Sequence, residues 1–281
     1  MNKRHVRIGG RLVSLHRPLV MGILNITPDS FFDGGKYFQA SDVAVRIKAM
    51  VEQGADILDI GGISTRPGAP PISVEEEMKA VALGLEAARS LKLEIPISVD
   101  TYRAEVAEMA LQNGAHIIND VSGGDWDIDL WKVVAKFQVP YVLTHTQGTP
   151  QTMQLAPIYE DVVREVTQEL HQKLKTLYGL GVMDVLVDPG FGFGKTLTHN
   201  YALLHQLPFI RQILDAPLLI GVSRKKMIQE VCKAPATEVL AGSLAAATLA
   251  MVGGASILRV HDVQETVQAV SVFQAYCAYP G

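Results

Sequence analysis

The sequence predicts an α/β fold, a single (β/α)8 TIM barrel with an N-terminal β-hairpin covering the bottom of the barrel. Three observations predict it. Short apolar runs of strand-forming residues recur along the chain, and each breaks off in a polar or glycine-bearing loop that leads into helical periodicity. Eight such runs can be counted after the first turn of chain. No Pro/Ser-rich linker or charge run divides the chain, so residues 1–281 read as one domain, with the hairpin at about 6–15 and the barrel at about 19–278. The alternative is an open doubly wound sheet, but no G-x-G-x-x-G fingerprint follows the first apolar strand.

Residues 6–15 alternate around Gly9-Gly10, as a tight hairpin does. Leu19 to Leu24 form an apolar strand that ends at Asn25, and a long loop runs to Tyr37. Ser41 or Asp42 starts a helix bearing Val43, Ile47 and Met50, closed by Gly54. The second strand, 55–60, leads through Gly61-Gly62 to a helix over 74–90, for which Ser73 and Glu76 make a capping box. Strands at 96–99, 116–118, 140–143, 185–187, 217–223 and 256–261 end in Asp100, Asn119-Asp120, Thr144, Asp188, Ser223-Arg224-Lys225 and Arg259-Val260-His261. Between them the pattern places helices at about 103–112, around Ile128 to Val134, over Val163 to Leu177 and from Thr198. Asp262 with Glu265 reads as the cap of a last helix reaching about Tyr276.

Composition narrows the function. With 48% hydrophobic and 19% charged residues the chain has ample core, and a net charge of −4 offers no basic face for nucleic acid. Cys232 and Cys277 stand in no metal-binding spacing, which favours a reducing compartment. No stretch approaches a membrane span and no leader pattern opens the chain, so a cytoplasmic protein is expected.

Barrel enzymes build their sites from the C-terminal ends of strands. Here those ends carry Asn25, Thr65, Asp100, Asn119, Thr144, Asp188, Lys225 and the pair Arg259 and His261. Any one Asp or Asn is equally well explained as a helix cap. Together, Asp100, Asn119 and Asp188 supply acceptors and donors that suit the edge of a flat, nitrogen-rich heterocycle, and Lys225 can donate to a ring carbonyl. Arg259 and His261 are two apart in a strand, so they project to one side as a cationic pair, expected to meet a phosphate group. The run Asp188-Pro-Gly-Phe-Gly-Phe-Gly-Lys195 lacks the spacing of a P-loop and reads as a shaping loop, with Phe191 placed to stack on a ring. Phe193 and Lys195 read equally as structural or solvent-facing.

The motifs Asn25-Ile-Thr-Pro-Asp-Ser-Phe with Asp33-Gly-Gly, Gly62-Ile-Ser-Thr-Arg-Pro-Gly68, Ser98-Val-Asp-Thr101, Ile118-Asn-Asp120, Asp188 to Lys195, Ser223-Arg-Lys225 and Arg259-Val-His261 occur in order from about Leu19 to Ala275. Together they resemble the dihydropteroate synthase family. The resemblance implies a transferase that joins 6-hydroxymethyl-7,8-dihydropterin diphosphate to 4-aminobenzoate, releasing diphosphate with Mg²⁺ on the leaving group. It implies that Asp100, Asn119, Asp188 and Lys225 hold the pterin, with Thr144 on its floor. Asn25, Arg259 and His261 would hold the diphosphate, Asn25 also lying near the metal. Thr65, Ser223 and Arg224 would border the aminobenzoate. Loops 26–37 and 62–70, with Asp29, Asp33 and Arg66, would close over the reaction, and a homodimer through the last helices is implied as well. Three positions depart from the family pattern: Ile63 replaces a common Glu, and Thr144 and Thr146 flank His145 where methionines are often found. A non-catalytic pterin-binding relative and a corrinoid-dependent methyltransferase are the competing readings; the intact loops and basic clusters weigh against the first, and the lack of a corrinoid domain against the second.

Overall fold

The computed structural model describes residues 5–26, 40–63, 72–149 and 157–279. Thr65, Arg66, Asp29 and Asp33, with most of the two loops expected to close over the site, lie outside them. Gly9 and Gly10 take φ of 55° and 77°, the positive values that a two-residue hairpin turn requires. They fold β1 (His5–Ile8) antiparallel onto β2 (Arg11–Ser14).

Eight parallel strands follow: β3 (Leu19–Asn25), β4 (Ile57–Gly61), β5 (Ile97–Asp100), β6 (Ile117–Asp120), β7 (Tyr141–Thr144), β8 (Val185–Asp188), β9 (Leu218–Ile220) and β10 (Ala255–Val260). They pair in chain order, and β10 returns to pair with β3 and close the barrel. Period-two alternation then divides each strand between two environments. Leu19, Met21, Ile57, Ile117, Val142, Leu186, Leu219 and Ile257 form one apolar cluster inside the barrel, with Val6 and Ile8 of the hairpin packed against it. The hairpin is therefore a plug on the barrel floor, as its alternation implies. Neighbouring residues such as Val20, Leu58, Val99, Ile118, Leu143, Val187 and Leu258 face the helices in a second, larger core.

Alternation has a direct consequence two residues beyond the floor. The positions that share a strand face with Ile57, Ile117, Val142, Leu186, Leu219 and Ile257 are Asp59, Asn119, Thr144, Asp188, Gly221 and Arg259. The apolar plug is thus topped by a polar layer, and that layer faces the C-terminal mouth.

The helices are α1 (Ala40–Glu52), α2 (Val74–Ser90), α3 (Ala104–Gln112), α4 (Leu130–Phe137), α5 (Val162–Gly179), α6 (Leu197–His205), α7 (Leu207–Leu214), α8 (Lys226–Cys232), α9 (Leu240–Val252) and α10 (Val263–Ala278). Their apolar faces are those the sequence marks: Val43, Ile47 and Met50 of α1 and Val166, Leu170, Leu174 and Leu177 of α5 are buried. Three readings are corrected. The connection after β8 is two helices, split where Gln206 leaves α6 and Pro208 enters α7, and its first helix is capped by Thr196, so it begins ahead of Thr198. Ile128 does not belong to α4 and is 78% exposed. Asp262 does not cap α10 through its side chain, because Arg224 claims both carboxylate oxygens, from Nε at 2.9 Å and Nη2 at 2.5 Å. Among the described residues no helix is long and apolar enough to cross a membrane.

The capping box on α2 forms as its sequence indicates: Ser73 Oγ accepts from Glu76 N–H at 3.1 Å, and the Glu76 carboxylate accepts from Ser73 N–H at 2.8 Å. Replacing Ser73 with Ala should lower stability by about 1 kcal/mol, read as a fall in the urea midpoint with an unchanged slope.

Candidate functional site at the barrel mouth

The polar layer is organised by one guanidinium. Arg259, at the end of β10, donates from Nε to Asp59 Oδ2 at 2.6 Å and from Nη2 to Asp100 Oδ2 at 2.5 Å. Asp59 is fully buried and Asp100 is 8% exposed, whereas the Arg259 side chain keeps one-fifth of its surface open. Asn119 donates a further hydrogen bond to Asp59 Oδ2 at 3.2 Å. Asp59 Oδ1 finds no hydrogen-bond partner among the described residues.

Asp188 ends β8 on the opposite side of the mouth, where Thr144 is its register partner. Its Oδ1 accepts from the Gly190 N–H at 2.7 Å, which fixes the carboxylate's rotation. Gly221 keeps Asp188 and Arg259 in one space: a Cβ there would stand 3.8 Å from both Asp188 Oδ2 and Arg259 Cβ. Lys225, at the start of α8, donates to the Phe191 carbonyl and carries its ammonium 4.5 Å over the Phe193 ring. Ser223 Oγ accepts from the His261 N–H at 3.2 Å and lies 3.2 Å from its Nδ1.

Burial sets the electrostatics. Desolvation pushes the Asp100 carboxyl up to about 7, against the pull of Arg259 and with the push of Asp59. Asp188 is raised by burial and held back by Lys225 and the Gly190 N–H. Burial lowers Lys225 to about 8, with Asp188 opposing it. Arg259 is disfavoured by burial, yet Asp59 and Asp100 hold its charge firmly in place.

Most of the strand-end residues meet at this mouth: Asp100, Asn119, Thr144, Asp188, Lys225, Arg259, Ser223 and His261. Asn25 reaches it from β3, its Oδ1 lying 3.3 Å from where a Cβ on Gly61 would stand. Several expectations change. Arg259 and His261 are not a free cationic pair, because Arg259 turns to two carboxylates while His261 meets Ser223. Phe191 does not stack over the mouth; it is 0% exposed and belongs to the core facing the helices, leaving partly exposed Phe193 as the aromatic beside Lys225. Lys195 is 4% exposed and not solvent-facing. Arg224, with φ of 55°, is bound to Asp262. Asp59 is the residue that sequence reasoning missed. The available signal was its parity with Ile57, which points both side chains into the barrel.

Comparison with known proteins converges on one group. The model for the family described as pterin binding enzyme matches residues 21–261. Dihydropteroate synthase of Escherichia coli K12 is 44% identical over 268 residues, covering 95% of this chain and 94% of its own. A structure of Xanthomonas albilineans dihydropteroate synthase with 4-aminobenzoic acid superposes with a TM-score of 0.91 at 42% identity, covering 99% of both chains. The enzyme from the same organism in complex with 7,8-dihydropteroate gives 0.88 at 39% identity, over 98% of this chain and 100% of that one.

The carboxyl of Asp100 predicts a pH dependence of stability. Its folded value lies above its unfolded one, so between about 4 and about 7 the native protein keeps a proton that the unfolded chain gives up. Stability from this group is fully present below that window and is lost as pH rises through it. Urea midpoints should therefore decline between pH 4.5 and 7.5, and Asp100→Asn should flatten the decline. An equal slope in the variant would assign the proton elsewhere.

Proposed function

The chain belongs to the dihydropteroate synthase family of pterin-binding enzymes, which makes it a transferase, and from that premise we propose how its residues divide the reaction. The substrates on this reading are 6-hydroxymethyl-7,8-dihydropterin diphosphate and 4-aminobenzoate, and the products are 7,8-dihydropteroate and diphosphate. The observation that carries it is the convergence of Asp188, Asn119, Lys225 and Arg259 on one mouth above an apolar floor.

Asp188 keeps Oδ2 toward Gly221 while Oδ1 is held by Gly190, so it accepts from the amino and ring N–H edge of the pterin. Asn119 reads the ring beside it, and Lys225 exchanges its carbonyl partner for one on the ring. Arg259 presents charge to the diphosphate with its fork already braced by two carboxylates, so little reorganisation accompanies binding. His261 and Ser223 border the same anion, and Ser223 and Arg224 line the approach of the arylamine. Diphosphate leaves first with the C–O bonding pair, the dihydropterin ring delocalising the cation on the exocyclic carbon. The arylamine, neutral at pH 7, then attacks that carbon and loses a proton to water, so positioning and charge neutralisation carry the chemistry and no strong base is needed.

Mg²⁺ fits the donors present. Asn25 Oδ1 lies 3.3 Å, and Asp100 Oδ2, which accepts from Arg259, 3.9 Å from where a Cβ on Gly61 would stand, so Asn25 would offer the ion an amide oxygen. One or two protein oxygens are what this ion uses when substrate phosphates complete its shell. When bound, the ion neutralises charge on the leaving group. A homodimer and a cytoplasmic setting are the companion readings.

Incubation with the pterin diphosphate and labelled 4-aminobenzoate should yield dihydropteroate in a reaction stopped by a chelator and restored by Mg²⁺. A missing product would refute the reading. Asp188→Asn converts an acceptor to a donor and should weaken pterin binding by roughly 5- to 150-fold by calorimetry. Arg259→Lys cannot span Asp59 and Asp100 at once, so it should weaken the pterin diphosphate about tenfold or more while sparing free hydroxymethylpterin. Equal losses for both ligands would show that Arg259 supports the pocket generally.

A further inference from the structure

Behind the mouth lies a second polar chain that the reaction does not use, buried at Lys195 and His145 and partly open at Glu169. Glu169 on α5 stands 3.3 Å from His145 Nε2, and His145 Nδ1 is 2.9 Å from Lys195 Nζ. The Lys195 ammonium also donates to the Phe193 carbonyl at 3.0 Å. A solvent-facing lysine would serve the surface, but this one is buried beneath the glycine loop, where it meets the His145 ring and the backbone carbonyls of His145 and Phe193.

The loop it fixes is the one that holds Asp188. Gly190 has φ of 76°, and a Cβ there would lie 1.8 Å from the His145 carbonyl and 3.2 Å from Lys195 Nζ. The His145 carbonyl and Lys195 Nζ thus both border the space beside Gly190 that a Cβ would occupy. The Gly190 N–H donates to Asp188 Oδ1, and the Phe193 N–H closes the turn on the Gly190 carbonyl at 3.1 Å. His145 N–H donates to the Asp188 carbonyl at 3.0 Å, so the same histidine holds the strand end and the lysine. Lys195 lies close enough to lower Asp188 electrostatically, while Glu169, drawn down to about 2 against the cost of its burial by His145 and Lys173, supplies countercharge from the rear.

We propose that Lys195 is a positioning residue for Asp188: with its ammonium held by His145, itself anchored on Glu169, it locks the Gly190 turn whose N–H sets the carboxylate for the pterin. The assignment rests on the pterin role given to Asp188 above. It makes the lysine specific to one substrate, because the lock acts on the pterin edge and touches neither Arg259 nor Ser223.

The test is Lys195→Met, which keeps the stem and removes the ammonium, with Glu169→Gln as a second variant at a side chain 40% exposed. Each is compared with the parent protein for binding of 6-hydroxymethylpterin by calorimetry and for steady-state kinetics. Lys195→Met should weaken the pterin and raise KM for its diphosphate about tenfold, with kcat and KM for 4-aminobenzoate within about twofold. Glu169→Gln should move the same pair of readings by about threefold. Combined with Asp188→Asn, Lys195→Met should add almost nothing to the loss of pterin affinity, because both act on one carboxylate. Additive losses, or equal rises in KM for both substrates, would overturn the proposal. Should Lys195→Met not fold, the Glu169→Gln readings decide alone, and unchanged pterin affinity there rejects it. A parent protein that binds the pterin but forms no dihydropteroate would refute the catalytic reading and leave the calorimetric comparison standing.

Discussion

The ion pair of Arg259 with Asp59 and Asp100 is the constraint on which the mouth depends. A barrel interior has little room for water, and an unpaired carboxylate there is among the most costly groups a fold can carry. Asp59 lies one layer above the apolar plug, fully buried, and survives because β10 sends a guanidinium across the barrel to meet it. The partners are 200 residues apart in sequence and adjacent only because β10 closes on β3 beside β4. Closure of the barrel and assembly of the site are therefore one event. A guanidinium suits the task because its rigid fork meets two carboxylates at once and holds its charge when desolvated, whereas burial lowers the Lys225 ammonium to about 8.

Two layers with opposite character follow from that arrangement. The floor residues and the hairpin are interchangeable hydrophobes in kind, and their work is to fill space. The layer above consists of groups that cannot be exchanged without leaving a partner stranded: Asn119 on Asp59, Gly190 on Asp188, Lys225 on the Phe191 carbonyl. Residues expected from their position at strand ends thus engage one another or nearby backbone. Binding at such a mouth is an exchange of partners, and the ligand must match what it displaces.

This division explains what was legible in the sequence. Strand grammar is written in apolar runs and their endings, so the eight strands, the hairpin at Gly9-Gly10 and the Ser73 capping box can be read directly. Partner choice is not written locally. Asp262 has the position of a helix cap, but Arg224 offers it two charge-assisted bonds in place of weak backbone ones. Phe191 sits in a glycine-rich loop, where an aromatic suggests a ring-stacking role, yet the turn carries it down into the core and leaves Phe193 above. Asp59 hides between Leu58 and Ile60 as one polar residue in an apolar strand. Its meaning depends on parity with the floor, and parity is meaningful only once the barrel is known to close.

Glycine carries the remaining information, by what it leaves out. Gly61 stands in register with Asn25 on one side and Asp100 on the other, so the oxygen-bearing groups of β3 and β5 meet at a level where β4 contributes no side chain. Gly221 does the same between Asp188 and Arg259. Both share an inward strand face with the floor residues, where a Cβ would stand against the polar groups beside it. Gly190 differs, since its positive φ lets the chain turn tightly enough for one N–H to meet the carboxylate two residues earlier. Space at the first two positions and curvature at the third are separate requirements with one residue type as their common solution. Alanine at Gly190 would set its Cβ 1.8 Å from the His145 carbonyl, so that position cannot be exchanged without moving the end of β7, whereas a Cβ at Gly221 finds its first neighbours at 3.8 Å.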